Sequence, residues 1–358
     1  MNDLVINSNI RNYKVVFVNT LDGVSKAIEP LPNKVLIVDA NVLEIYRSEI
    51  ERMADSSDII AFEAIEENKN LEAAGGLYSS LIDRNAKRNI NLVSIGGGIT
   101  QDVTGFVAST LYRGVNWTFV PTTFLAQTDS CIGSKTSLNF GSRKNLLGTF
   151  YPPAAIYLCP AFLSSLTKID YYSGIGETIK FQLMNPFAKP NLHQIAEKIE
   201  QLKRYERLDE IIRENMAVKI EYMENDEFDL GRRNLLNYGH CFGHALEISS
   251  AYAIPHGTAV SIGILFGGVV SVFRGLMSQK VFDGIKKIVL PCILVSFDSQ
   301  HYNADLLLAA MKNDKKRTGA DLSIVLADDN FTLAKYDDFK KEEFDKGLQT
   351  LIEILENH

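Results

Sequence analysis

The chain is poor in several residue types. Among its 358 residues there is one tryptophan, four cysteines and six histidines, and positive charge is in deficit, with a net charge of −7. Cys131, Cys159, Cys241 and Cys292 are scattered without a CxxC pair. This excludes a dense disulfide framework or a zinc ribbon and suits a reducing cytoplasm. The acidic balance argues against nucleic acid or an anionic membrane as the main partner. The opening Met1-Asn2-Asp3-Leu4-Val5 lacks a basic stretch before an apolar run, so no signal peptide is expected. The longest uncharged apolar run, Gly257–Phe273, lies at the lower edge for a membrane span and carries several Gly and Ser. A buried helix is the expectation there. Internal repeats, low-complexity tracts and long linkers are also missing.

What is present is ordinary for a soluble globular protein: 46% apolar and 23% charged residues, in a chain long enough for two domains. The first half alternates β-rich runs (Tyr13–Val18, Lys34–Asp39, Ile59–Phe62, Asn91–Ile95, Trp117–Val120, Ala154–Cys159) with helical spacing at Leu71–Arg84 and Asp102–Leu111. That alternation predicts an α/β domain with a mostly parallel sheet, whose ligands bind beyond the carboxyl ends of the strands. From about residue 160 the spacing turns helical: Leu163–Met184, Leu192–Leu202, Leu208–Met223, Arg232–Ser249, Gly257–Phe273, Lys280–Ile288, Ala304–Lys312 and Lys341–Glu356. One hairpin, Leu322–Ala327 with Phe331–Lys335, interrupts it.

Several stretches can carry chemistry. His240 and His244 stand four apart and share a helix face, and His256 follows after a loop ending at Pro255. Such a cluster suits a divalent metal, although a His-x3-His pair alone is as often two ordinary hydrogen-bonded side chains. The Gly96-Gly97-Gly98 turn joins a strand to a helix, where backbone N–H groups can meet a pyrophosphate. By itself such a turn is as often structural. Asp39 ends an earlier strand and is placed either to bind a ribose or to serve a turn. Between Val120 and Asn145 lies a polar segment with Asp129, Lys135, Lys144 and Asn145, expected as a loop able to hold a phosphate. Glu177 and Lys180 share a helix face in a setting too apolar for a surface ion pair. Glu177 with His240 and His256 would form a metal site with open positions.

Taken together these segments resemble the sugar-phosphate cyclases, and among them the 3-dehydroquinate synthase family. The resemblance rests on Gly96 to Ala108 (Gly-Gly-Gly-Ile-Thr-Gln-Asp-Val-Thr-Gly-Phe-Val-Ala), Tyr112-Arg113-Gly114, Pro121 to Asp129, Lys135-Thr136, Lys144-Asn145, Gly176-Glu177 with Lys180, Arg233 to Glu247, His256-Gly257 and Asp314-Lys315-Lys316. It implies a Rossmann-like NAD domain (1–165) and a mostly α-helical metal- and substrate-binding domain (166–358), with the active site in the cleft between them. It implies zinc, or cobalt, on Glu177, His240 and His256. A phosphate pocket would come from Lys135, Asn145, His244 and Lys315 or Lys316. Lys180, Lys219, Asn237 and Asp129 would surround ring hydroxyls, and Arg233 would meet a carboxylate. NAD+ would contact Asp39, Glu66, Lys69, Gly97, Gly98, Asp102, Thr122, Thr123 and Lys144. Arg113 would reach a neighbouring subunit's site, implying a homodimer. The implied reaction is a cytoplasmic, phosphate-eliminating ring closure in the shikimate pathway of aromatic amino acid biosynthesis. It converts 3-deoxy-D-arabino-heptulosonate 7-phosphate to 3-dehydroquinate, with NAD+ regenerated each turn.

The chain also departs from that pattern. Ser134 replaces a glycine in the phosphate loop, and Asp229 stands for a glutamate. Gln101 and Ile65 replace glycines. Thr258 replaces the glutamate after His-Gly, so a carboxylate that orients the metal ligand is expected to be missing. These departures keep two alternatives open: a related cyclase making inososes or valiolones from another sugar phosphate, and a metal- and NAD-dependent polyol dehydrogenase of the same architecture. Arg233, Lys219, Asn237 and His244 favour the dehydroquinate pattern.

Overall fold

The β-rich runs of the first half close into one sheet because each is short, apolar and separated from the next by a helix or turn. The computed structural model describes residues 3–141, 143–312 and 322–358. Its strands are β1 (Leu4–Ile6), β2 (Tyr13–Phe17), β3 (Lys34–Asp39), β4 (Ile59–Phe62), β5 (Asn91–Gly96), β6 (Asn116–Pro121), a separate hairpin of β7 (Lys135–Phe140) and β8 (Arg143–Phe150), and β9 (Ala155–Leu158). The sheet order is β1-β2-β9-β6-β5-β3-β4. Only β1 against β2 is antiparallel. The helices between them are α1 (Leu21–Ile28), α2 (Ala40–Ile45), α3 (Arg47–Ile50), α4 (Leu71–Asp83) and α5 (Gly98–Thr110). Leu36, Val38, Val93, Ile95 and Val120 point from one sheet face into a core with Val24, Ile28, Leu43, Ile50 and Phe162. On the opposite face Trp117 lies against α5 at Gly105, where a Cβ would approach its ring to 3.1 Å. This is the expected mostly parallel α/β layer.

The second compact unit, Thr167–His358, follows the first, Met1–Leu166. It contains α6 (Lys168–Leu183), α7 (Leu192–Lys203), α8 (Leu208–Met223), α9 (His240–Ser249), α10 (His256–Phe273), α11 (Gln279–Val289), α12 (Ala304–Lys312), the hairpin of β10 (Leu322–Ala327) and β11 (Leu333–Phe339), and α13 (Lys341–Glu356). Helix α10 is the one described helix long and apolar enough to cross a membrane, and 83% of that window is buried inside the protein. It is the core helix of this unit.

Three expectations need correction. The single helix foreseen at Arg232–Ser249 is broken: a 3-10 turn spans Arg232–Asn237, Gly239 takes φ +77, and α9 starts at His240. Apolar periodicity ran through the break, but Gly239 faces the Val260 carbonyl, which a Cβ would approach to 2.6 Å. Helix α6 starts at Lys168 rather than Leu163, because Thr167 caps it by accepting from the Asp170 N–H. The polar segment foreseen as a loop holds the β7–β8 hairpin, turned at Gly141 with φ +58. Asp314, Lys315 and Lys316 lie outside the described residues.

Candidate functional site

In the first unit the strand register lines up the carboxyl ends of three strands. Val38 pairs with Ile95, Ile95 with Val120, and Gly96 with Pro121. Asp39, Gly97, Gly98, Thr122 and Thr123 therefore emerge together, and the Thr122 N–H donates to the Gly96 carbonyl at 2.9 Å. Asp39 caps α2 through the Asn41 N–H at 2.9 Å, so part of its role is the turn. Burial raises its carboxyl above the ordinary value, against the lowering by the Asn41 and Val42 backbone N–H groups. Helix α5 begins after Gly97 with no side-chain cap. Its first N–H groups make the open, positive end that a pyrophosphate needs.

The other expected cofactor residues form one network. Lys69, 7% exposed, places Nζ 2.6 Å from Asp102 Oδ2 and 2.6 Å from Asn145 Oδ1. Ser137 Oγ lies 2.8 Å from both Asp102 Oδ2 and Asn145 Oδ1. Lys144 Nζ is 3.5 Å from Glu66 Oε1, which also accepts from Asn139 Nδ2 at 2.8 Å. Asn145, expected at the phosphate, thus shares its oxygen with Lys69, expected at the cofactor. Asn139 was foreseen only as a member of the polar segment and Ser137 was not foreseen; membership of a strand with alternating polar residues was the one signal for it. Lys135 is exposed on β7, Asp129 is half-buried on a π-helical turn, Ala126–Ser130, and Arg113 is exposed on a left-handed turn with φ +65.

In the second unit, three helices meet through glycines. A Cβ on Gly176 would lie 2.1 Å from the Gly257 carbonyl, and one on Gly257 would lie 1.8 Å from the Ser173 carbonyl. That close approach of α6 and α10 sets Glu177 beside His256. The Gly239 break sets His240 alongside. His240 Nε2 is 3.3 Å and His256 Nε2 3.2 Å from the same oxygen, Glu177 Oε1. Lys180 Nζ sits 2.5 Å from Glu177 Oε2, with both side chains essentially sealed from solvent. By distance these are ion pairs, yet neither Glu177 oxygen receives a well-aligned hydrogen bond.

The electrostatics follow from this packing. Burial pushes the Glu177 carboxyl up, and Lys180 and His240 more than reverse it, holding it well below the usual range. Burial and the Lys180 charge lower His240. His256 is pushed down by burial but raised by Glu247 and Glu177, to about 10.

The donor set fits a divalent ion. Each Nδ1 is already engaged: His240 with the Tyr238 carbonyl at 3.1 Å, His256 with Glu247 Oε2 at 3.0 Å. That directs both Nε2 atoms inward. Metal–ligand bonds of about 2.0–2.1 Å at tetrahedral angles put ligand atoms about 3.3 Å apart, matching the 3.2 and 3.3 Å separations. His244 joins the cluster, with its donor atom within 4.8 Å of those of His240 and His256. Glu247 corrects the expectation drawn from Thr258: a carboxylate does orient His256, supplied by the end of α9. The remaining expected residues in this unit are Lys219, buried on α8, Asn237, half-buried, and Arg233. Arg233 is 4% exposed and donates from Nη1 to the Glu227 carbonyl.

The chain has counterparts among known proteins. Residues 59–173 match the family model described as 3-dehydroquinate synthase N-terminal, and 174–317 match 3-dehydroquinate synthase C-terminal. The 3-dehydroquinate synthase of Clostridium tetani is 35% identical, covering 95% of this chain and 92% of its own. That of Pelagibacter ubique is 34% identical, covering 90% and 91%. The fold is shared with a solved 2-epi-5-epi-valiolone synthase from Streptomyces hygroscopicus with NAD+ and Zn2+ bound, at TM-score 0.85 and 24% identity, covering 98% of this chain and 99% of that one. Matches over both family models and at 34–35% identity along nearly the whole length leave one assignment: the chain belongs to the 3-dehydroquinate synthase family.

Proposed function

We propose that the protein is a 3-dehydroquinate synthase. It converts 3-deoxy-D-arabino-heptulosonate 7-phosphate to 3-dehydroquinate and phosphate, as a cytoplasmic homodimer with bound NAD+ and one zinc or cobalt ion. The convergence of Glu177, His240 and His256, in a chain matched along its length by this family, carries the reading.

When bound, the ion supplies Lewis acidity and NAD+ supplies reversible hydride acceptance. The chain's own residues do the rest. Glu177, His240 and His256 hold the ion, and the Nδ1 contacts keep both rings turned toward it. Lys180, Lys219 and Asn237 offer donors to substrate hydroxyls. Arg233 presents a planar, permanently charged fork that suits a carboxylate. Lys135 and Asn145 offer a charge and an amide to phosphate oxygens, and His244 adds an imidazole donor. The open N-terminus of α5 at Gly97–Gly98 takes the NAD+ pyrophosphate, with Asp39 at a ribose. Glu66, Lys69, Asp102 and Lys144 would contact NAD+, and Glu66, Lys69 and Asp102 also hold the β7–β8 hairpin through Asn139, Asn145 and Ser137. Positioning and fixed charge are the protein's main contribution.

The test is phosphate release from a panel of substrates. The heptulosonate 7-phosphate should turn over, while sedoheptulose 7-phosphate and glucose 6-phosphate, which lack the carboxylate, should be poor. Brisk turnover of a neutral sugar phosphate with none of the heptulosonate would overturn the reading.

A further inference from the structure

Two reciprocal hydrogen bonds clamp the turn that carries Asp129 to helix α5. Gln101 Nε2 donates to the Ser130 carbonyl at 2.7 Å, and Ser130 Oγ donates to Gln101 Oε1 at 2.7 Å. Gln101 is 5% exposed and Ser130 is half-buried, so both bonds are partly shielded from water, and leaving them unmade has a cost. The family resemblance leads one to expect glycine at this position, and glycine could make neither bond.

The clamp joins two elements that face each other. One is the glycine turn opening α5. The other is the segment from Thr122 to Ser130, whose end is a π-helical turn, a geometry that recurs at functional sites. A Cβ on Gly97 would stand 3.0 Å from Thr123 Cγ2, and one on Gly98 would stand 3.6 Å from Ser130 Oγ. Thr123 and Ser130 therefore form a wall opposite Gly97 and Gly98. The near end of that wall is fixed by the Thr122 N–H on the Gly96 carbonyl. Its middle is fixed by Gln127 Nε2 on the Pro121 and Cys159 carbonyls, at 3.0 and 2.9 Å. Its far end is held by Gln101.

We propose that Gln101 is a positioning residue: through Ser130 it sets the spacing between the Thr123–Ser130 wall and the Gly97–Gly98 turn, and so the affinity of that turn for the dinucleotide. This rests on the NAD+ reading above. The test is the NAD+ dissociation constant of the full-length protein, measured by titration calorimetry without substrate. Gln101→Met keeps much of the volume and removes both bonds, whereas Ser130→Ala removes one.

The expected losses are about tenfold for Gln101→Met and about threefold for Ser130→Ala, the scale of one to two hydrogen bonds. The double variant should bind no more weakly than Gln101→Met alone. Gln101→Glu, which keeps the acceptor and loses the donor, should fall between parent and Gln101→Met. The rise in Kd should exceed any fall in kcat at saturating NAD+. A lower Tm with unchanged Kd in these variants would overturn the inference and leave the cofactor reading standing. A parent that does not bind NAD+ would overturn the cofactor reading itself, and this inference with it. Should Gln101→Met not fold, Ser130→Ala decides: a threefold loss supports the clamp and an unchanged Kd refutes it.

Discussion

Glu247 holds His256. Its Oε2 lies 3.0 Å from Nδ1, across the loop that separates the end of α9 from the start of α10. The contact fixes which imidazole nitrogen faces Glu177. Carboxylates in this position typically contribute 10–100-fold to metal affinity. Glu247→Ala should therefore raise the zinc dissociation constant by about 10–100-fold in chelator competition. Glu247→Gln should lose less, because its amide oxygen still accepts from Nδ1. Unchanged affinity in both would mean that helix packing alone orients the ring.

The helix crossing beneath that site leaves no room for a side chain. Gly176→Ala would drive a Cβ into the Gly257 carbonyl, 2.1 Å away, with backbone on both sides. The helices must separate, at a cost of about 1–3 kcal/mol or more. Urea unfolding should show that loss, and metal content should fall with it, because Glu177 moves with α6. A variant of parental stability and full metal content would contradict the packing described.

These two residues also show what could be read from the sequence. Part of the proposed metal site was legible: His240 and His244 stand four apart, Glu177 lies in an apolar helix, and His256 follows a loop ending at Pro255. The Gly96–Gly98 turn was visible because it follows a strand. Glu247 ends a stretch that carries the resemblance, but its contact with His256 was hidden: nothing in the sequence says that the end of one helix folds back on the start of the next. The break at Gly239 was hidden too, since apolar periodicity continues through it, and only the Val260 carbonyl explains why that glycine takes φ +77. The β7–β8 hairpin escaped because Lys135–Phe140 is short and polar, and its partner strand supplies the reason for it to be extended.

The glycine turn depends on close approach of the backbone. Gly97→Val would add branches where a single Cβ already lies 3.0 Å from Thr123 Cγ2. The bulk would fill the space in which a pyrophosphate meets the backbone. Calorimetric NAD+ binding should be lost. Parental affinity would mean that the turn serves the fold alone.

In the proposed function, Arg233 selects the substrate through the substrate's carboxylate. Losing one partner of a closed, charged contact costs about 2–4 kcal/mol. Arg233→Ala should then lower kcat/KM for the heptulosonate 7-phosphate by roughly 30-fold to 1000-fold. Lysine should restore only part, since it cannot form the fork. A neutral seven-carbon sugar phosphate, already a poor substrate, should be little affected. Equal losses for both substrates would point instead to the bond from Arg233 to the Glu227 carbonyl and a structural role.

The most direct test follows the fate of NAD+ during turnover. The metal-loaded protein is mixed with excess 3-deoxy-D-arabino-heptulosonate 7-phosphate and NAD+ well below the substrate concentration. Phosphate and NADH are then measured together. Phosphate should be released in many-fold excess over NAD+, with one 3-dehydroquinate for each phosphate and no net NADH. NADH accumulating one-for-one with product, or no phosphate release at any NAD+ level, would contradict the proposed function.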